Sequence, residues 1–341
     1  MTDTRPDWDA FTPTEDAREL ASSARAHFAA IVSADQLHDV VAGETVPWLW
    51  SAIVEHGYTA VGLPPEADGL GTIVDLVAVL EESGRALVPA PLTTSAAAMQ
   101  TLVAVGLPPT PSEATAIAQD VGGSLFAFDG TAASVFVTVD ERPDGSLVRA
   151  VAVAPAALRR EQAPIDPSRA GAFADVWEVA GERMLAATPD QVLAAARTCV
   201  AADLVGTAAR ALDAAVAHAR TREQFGRPIG AFQAIKHRLA DVYVAVERAR
   251  SLSAGAAVAV AADPFSPVAR ELSMLAKAAA SDAACFASAS HTQVLGAMGL
   301  TWEADSPLTV RRARHTAPFL GTSSSLYAAV AAARVAQGVS R

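Results

Sequence analysis

The sequence predicts a mostly α-helical protein with a small β-domain in its middle, and three observations support this fold class. Apolar residues recur at helical spacing in the first hundred residues and again after residue 188. Between these regions the pattern changes to short β-branched or aromatic runs separated by glycine and aspartate-glycine turns. No apolar run is long enough for a membrane span, so we expect no membrane insertion and expect the 51% apolar residues to form buried helix faces.

The first predicted domain covers residues 1–107 and is helical. Its clearest helical patterns are residues 45–56 and 73–87, which are separated by proline-rich and glycine-rich turns. A run with three prolines, residues 107–111, follows. Proline removes a backbone donor and disfavours helix in the residue before it, so we place a domain boundary here.

The second predicted domain, residues 108–187, contains the β-structure. Five strands are expected, at residues 114–121, 124–128, 134–139, 147–153 and 172–179. The dipeptide Asp144-Gly145 between two of them predicts a hairpin.

The third predicted domain, residues 188–341, is a four-helix unit. Thr188, Pro189 and Gln191 form an N-terminal capping pattern that opens a long helix ending near Arg222. A second amphipathic helix follows a short turn, a third begins at Ser266-Pro267, and residues 322–339 supply the last.

Composition excludes several function classes. A net charge of −11 argues against non-specific nucleic-acid binding, and the acidic first residues lack the pattern of a secretory signal, so we expect a cytoplasmic protein. The two cysteines are far apart, and the histidines lack ligand spacing. We therefore expect neither a disulfide nor a metal site.

Residues 222–233 read Arg-Glu-Gln-Phe-Gly-Arg-Pro-Ile-Gly-Ala-Phe-Gln, and this segment resembles the flavin-pyrophosphate motif of the acyl-CoA dehydrogenases. The similarity continues in order along the chain, at residues 55–58, 62–71, 81–87, 293–299 and 321–322. This resemblance implies an N-terminal helical domain, a middle β-barrel-like domain and a C-terminal four-helix bundle, with FAD as cofactor.

The resemblance also implies which residues contact the cofactor. In the family, the residues matching Arg222, Phe225 and Gln233 reach a flavin bound by an adjacent subunit, and a guanidinium suits a pyrophosphate. The segment matching Gln293, Gly296 and Ala297 lies along the adenosine half, although Ala297 replaces a usual glycine. Thr322, after Gly321, completes the predicted set.

Two departures from the family pattern concern the chemistry. The usual catalytic glutamate position holds Leu320, and the alternative position used by some members holds Ala196. Neither side chain can accept a proton, so no catalytic residue is predicted. Asp203 and Glu303 are conceivable substitute bases. The β-domain also lacks the family's Thr-Glu-Pro and Trp-Ile-Thr segments for the flavin ring.

The chain therefore most resembles the short, base-lacking subunit of bacterial heteromeric acyl-CoA dehydrogenases. That resemblance implies a related catalytic chain as partner in an α2β2 heterotetramer, and acyl-CoA substrates with bulky groups such as sterol side-chain fragments. Two alternatives stay open: a stand-alone flavoenzyme with a relocated base, and a flavin-free structural or acyl-CoA-binding homologue.

Overall fold

The computed structural model describes residues 15–44, 46–301 and 303–339, with the side chains of residues 337 and 339 excepted. Thr45, in a predicted helix, and Trp302 lie outside these residues. The first part of the chain is helical: α1 (Glu15–Ile31), α2 (Ala34–Ala42), α3 (Pro47–Glu55), α4 (Ile73–Ala86) and α5 (Leu92–Ala104). None of the helices in the described residues is long and apolar enough to cross a membrane.

The middle of the chain forms a mixed sheet of seven strands: β1 (Thr115–Val121), β2 (Ser124–Ala127), β3 (Val135–Arg142), β4 (Gly145–Ala152), β5 (Leu158–Arg160), β6 (Ala172–Ala174) and β7 (Glu178–Leu185). Their order is β5-β6-β2-β1-β3-β4-β7, and the β1–β3 pair is parallel. The predicted hairpin at Asp144-Gly145 is present, because Arg142 pairs with Gly145 across a two-residue turn.

Among its described residues, the last part contains six α-helices and a small hairpin: α6 (Pro189–Val192), α7 (Ala194–Thr221), β8 (Glu223–Gln224), β9 (Arg227–Pro228), α8 (Gln233–Ala262), α9 (Pro267–Leu295), α10 (Ser306–Thr316) and α11 (Ser323–Val339). The fold class predicted from the sequence is thereby confirmed. The domain boundaries stay predictions.

Local assignments differ from the sequence prediction in several places, and strand β5 was not predicted. The single strand expected at residues 172–179 is two strands, because β6 pairs with β2 while β7 pairs with β4. The long helix expected from residue 189 is interrupted at Leu193, whose ψ of 5° separates α6 from α7. Helix α10 was not predicted.

Helix α7 lies at the centre of the molecule. Every residue from 194 to 209 is buried. It crosses α4 in direct backbone contact, since a β-carbon added at Gly206 would lie 1.9 Å from the Glu81 carbonyl oxygen and one at Gly84 would lie 2.0 Å from that of Asp203. Only glycine permits this approach, so the pair fixes how the N-terminal helices sit on α7.

A buried charge network joins the sheet region to the helices on both sides. The Arg169 guanidinium donates to Asp129 at 3.1 Å and to Asp203 at 3.0 Å, and all three residues are at most 5% exposed. Thr94 and Thr93 of α5 donate to the same two carboxylates. Burial opposes the charge on Arg169, but the carboxylates of Asp129 and Asp203 raise its pKa above the usual value.

A second buried pair lies beside this network. Arg312 of α10 donates to Asp166 at 2.7 Å and to the Leu87 carbonyl oxygen at 3.1 Å. Burial alone would raise the Asp166 pKa, but Arg312 holds it below the usual value. These contacts connect α10, the sheet region and the end of α4.

Substituting Arg169→Ala should lower the free energy of unfolding by about 3–5 kcal/mol, because two buried carboxylates lose their cation. Urea unfolding measures this. Arg160→Ala is the matched control, since Arg160 is exposed and its loss should change stability by no more than about 0.5 kcal/mol. If Arg169→Ala lowered the free energy of unfolding by less than about 1 kcal/mol, the network would contribute little to stability.

Candidate cofactor-binding surface

The hairpin between α7 and α8 presents Arg222 at the end of the helix. The backbone leaves the helical conformation at Arg222 (φ −72°, ψ 124°), and its carbonyl oxygen accepts from Ile229 at 2.8 Å. Phe225 and Gly226 both have positive φ, 55° and 76°, as the tight turn between β8 and β9 requires. The turn is therefore a defined structure and not an open loop.

The side chains of this hairpin point away from the protein. Arg222 is exposed, and no described residue is its side-chain partner. Phe225 is 92% exposed and meets Phe232 edge-on at 6.1 Å, while the Arg227 guanidinium lies 4.3 Å from the Phe232 ring centre. An aromatic ring and a guanidinium are thus both available to a ligand or a partner.

The end of α9 lies beside this hairpin. Val294 packs into a small apolar cluster with residues of α7, the segment before α8 and α8 itself: Ala215, Ala219, Ile229, Ile235 and Leu239. Gln293, Gly296 and Ala297 are exposed around Val294. An added β-carbon at Gly296 would meet no atom within 4 Å, so this backbone is open to a ligand.

Six of the seven predicted cofactor residues consequently lie at one end of the helical bundle: Arg222, Phe225, Gln233, Gln293, Gly296 and Ala297. Residues 220–236 here carry four basic side chains and one acidic one, although the whole chain has a net charge of −11. This end therefore favours an anion. His291 adds no charge at neutral pH, because burial lowers its pKa to about 4.

Thr322 lies elsewhere. It precedes α11, where the neighbouring Ser323 hydroxyl donates to the Ala278 carbonyl oxygen at 3.3 Å. Ala278 is fifteen residues before Gln293, or about 22 Å along α9 at roughly 1.5 Å per residue. Any contact of Thr322 with a cofactor must involve a different part of that cofactor, or a different copy.

Leu320, which the sequence predicts at the family's catalytic glutamate position, is part of the core. Leu320 is 3% exposed with φ 58°, and its carbonyl oxygen accepts from Arg197 at 3.1 Å. Ala196, at the alternative position, is fully buried in α7. Both positions predicted for the base therefore hold aliphatic side chains that are packed in the core, and neither side chain can titrate.

Aromatic rings fill the space between this turn and the sheet. Phe128 packs against Phe319 at 4.6 Å and His315 at 4.8 Å, and Phe126 and Phe173 extend the cluster. Burial lowers the pKa of His315, so its imidazole is neutral at neutral pH. Packing, not ionisable chemistry, dominates this side of Leu320.

The two substitute bases suggested by the sequence are differently placed. Asp203 is 1% exposed and both of its oxygens are bonded, one to Thr93 and one to Arg169. It cannot accept a proton from a ligand without breaking that network. Glu303 is exposed on the surface. Among the described side chains, no three of His, Cys, Asp or Glu are grouped to hold a metal ion.

Sequence reasoning missed two buried basic residues, Arg197 and Lys277, that support the turn 317–321. Arg197 binds the Leu320 carbonyl, and Lys277 of α9 donates to the carbonyl oxygens of Ala317 and Gly321 at 2.5 and 2.9 Å. Lys277 was detectable in principle, because it is one of two lysines in the chain and stands alone in the apolar run 274–280.

Comparison with known proteins gives consistent matches. The acyl-CoA dehydrogenase N-terminal domain model matches residues 14–108, and the acyl-CoA dehydrogenase C-terminal domain model matches residues 187–334. The acyl-CoA dehydrogenase IpdE2 of Mycolicibacterium smegmatis is 33% identical over 284 residues, which are 81% of this chain and 84% of that protein.

Two solved structures share the fold. The steroid ACAD Tcur3481–Tcur3483 superposes with a TM-score of 0.83 at 24% identity, covering 97% of this chain and 100% of that one. The ChsE4–ChsE5 complex from Mycobacterium tuberculosis gives 0.78 at 22% identity, covering 97% and 99%.

Introducing a carboxylate by Leu320→Glu should lower the free energy of unfolding by at least about 2 kcal/mol, because the site is buried and apolar. It should give the isolated chain no dehydrogenase activity. Leu320→Met, the volume-conserving control, should cost less than about 1.5 kcal/mol. Urea unfolding and an acyl-CoA oxidation assay test both, and a stable, active glutamate variant would contradict this description of the site.

Proposed function

The chain belongs to the acyl-CoA dehydrogenase family, and from that premise we propose that it is the base-lacking subunit of a heteromeric, FAD-dependent acyl-CoA dehydrogenase. The family reaction removes a proton from the carbon next to the thioester carbonyl and a hydride from the next carbon. FAD, the cofactor of the family, accepts the hydride when bound. This chain would contribute to binding and assembly, and its partner would supply the base.

The single observation that carries the proposal is the burial of both base positions. Leu320 is inside the core, and Ala196 of α7 has no exposed surface. A positioned base typically contributes about 10²- to 10⁴-fold to the rate, so the chain on its own lacks a substantial part of the expected catalysis. A partner that carries the base removes this difficulty.

The exposed end of the bundle supports a binding role. Arg222 can form charge-assisted, bidentate hydrogen bonds to a pyrophosphate, and Phe225 offers a flat apolar ring beside it. Small residues at Gly296 and Ala297 leave the backbone accessible for close approach. All of these groups face outward, where a cofactor held by a second chain would lie.

The partner in this proposal is a related catalytic chain in an α2β2 heterotetramer. Supporting it, two solved structures of the same fold are named as pairs of chains, ChsE4–ChsE5 and Tcur3481–Tcur3483. The latter is called a steroid ACAD. By analogy, the substrate of the complex here would be a CoA thioester with a bulky acyl group, such as a sterol side-chain fragment.

Replacing Arg222→Ala in the complex reconstituted with its co-purifying partner should weaken FAD retention about 10- to 100-fold and lower the dehydrogenation rate. The reason is the loss of charge-assisted hydrogen bonds worth about 1.5–3 kcal/mol each. FAD is counted by absorbance after gel filtration of the assembled complex. Comparing complexes of equal mass separates cofactor loss from failed assembly.

Arg248→Ala serves as the control, since Arg248 is also exposed but lies fifteen residues, or about 22 Å, along α8 from Gln233. Its FAD content and rate should equal those of the unmodified complex. Unchanged FAD content and rate in the Arg222 variant would contradict the binding role and favour a flavin-free structural or acyl-CoA-binding protein. Full activity of this chain without a partner would favour an enzyme with a relocated base.

A further inference from the structure

Lys277 is a fully buried amine attached to the turn between α10 and α11. Its side chain has 0% exposure, and its Nζ donates to the carbonyl oxygens of Ala317 at 2.5 Å and Gly321 at 2.9 Å. The same turn is held from α7 by Arg197, through the Leu320 carbonyl. Two buried basic side chains therefore bond to the five-residue turn 317–321.

No carboxylate neutralises Lys277 directly. Within the described ranges, no Asp or Glu oxygen lies within 4 Å of its Nζ, whereas Arg197 is paired with Asp190 at 2.8 Å. The charged and titratable groups around Lys277 and this turn come from several helices: Asp190 on α6, Arg197 on α7, Arg270, Asp282 and Cys285 on α9, Arg314 on α10 and Tyr327 on α11. Asp282 is exposed and bonded to Tyr327, so its effect on Lys277 is small.

The uncharged and the protonated forms of this amine differ in how many of their N–H donors the two carbonyl oxygens can accept. Burial, followed by repulsion from Arg197, lowers the pKa of Lys277 to about 7. An uncharged amine has two N–H donors for the two carbonyl oxygens, while an ammonium has a third. The carbonyl dipoles at the end of α10 favour an ammonium, but complete burial beside a guanidinium opposes it more strongly.

We propose that the charge state of Lys277 controls how firmly the turn 317–321 is attached to α9. The uncharged amine holds the turn, and gaining a proton weakens the attachment of the turn and of the first residues of α11. Leu320 and Thr322 both belong to this region, and Leu320 keeps a positive φ that is unfavourable for a side chain with a β-carbon. The turn therefore depends on its contacts to keep its shape.

The pH dependence follows from the lowered pKa. Between about pH 7 and pH 10.5, the unfolded chain binds a proton at Lys277 that the folded chain does not, so stability rises with pH across this window. Below about pH 7 both states carry the proton, and the cost of burying the charge is fully present. The attachment is weakest there.

The experiment uses the fact that the chain has only two lysines, Lys236, which is exposed, and Lys277. In protein labelled with ¹³C-lysine, the Lys277 Cε resonance should titrate near pH 7. Amide exchange of residues 320–326, corrected for intrinsic rates, should show reduced protection at about pH 6 relative to pH 8.

Lys277→Met should remove the pH-dependent change in protection, and Lys236→Met should preserve it. If the Lys277 variant does not fold, the titration and exchange of the unmodified protein decide the matter by themselves. The proposal would be overturned if the Lys277 resonance showed that the amine keeps its charge up to about pH 9. Equal protection of residues 320–326 at about pH 6 and pH 8 would overturn it as well. Neither readout requires flavin or a partner, so the result is independent of the proposed function.

Discussion

The contact between α4 and α7 at Gly84 and Gly206 is the constraint on which the rest of the structure depends. Because these helices touch backbone to backbone, the first half of α7 is enclosed by the N-terminal helices and the remaining bundle. Ala196, Arg197 and Asp203 all lie in that enclosed half. The other end of α7 emerges at Arg222. One end of α7 therefore lies in the packed interior, and its other end lies at an exposed, basic surface.

This division gives a physical reason for the proposed role. The interior has apolar side chains at both predicted base positions, and the buried carboxylates of Asp203 and Asp166 are bonded to arginines. The turn at Leu320 is held in place by Arg197 and Lys277 and is covered by aromatic rings. What stays accessible is the surface around the hairpin and the end of α9. In the proposed role, such a chain binds and positions a shared cofactor, while a partner carries out the proton transfer.

Much of this organisation is readable in the sequence because it is local. The capping pattern at Thr188 and Gln191, the hairpin at Asp144-Gly145 and the turn at Arg222 each depend on a few neighbouring residues. The buried ion pairs were not predictable, since Arg312 meets Asp166 across 146 positions of sequence. Likewise, the sequence grouped Thr322 with the other cofactor residues, and only the packing of α11 on α9 shows its separation.

The most direct measurement is the mass and flavin content of the native assembly recovered from its own cell. FAD would be counted per copy of this chain, and any co-purifying protein would be identified by mass spectrometry. The proposed subunit role predicts a mixed tetramer of two chain types with one FAD for each unlike pair. A homo-oligomer of this chain alone, with one FAD per copy, would contradict it.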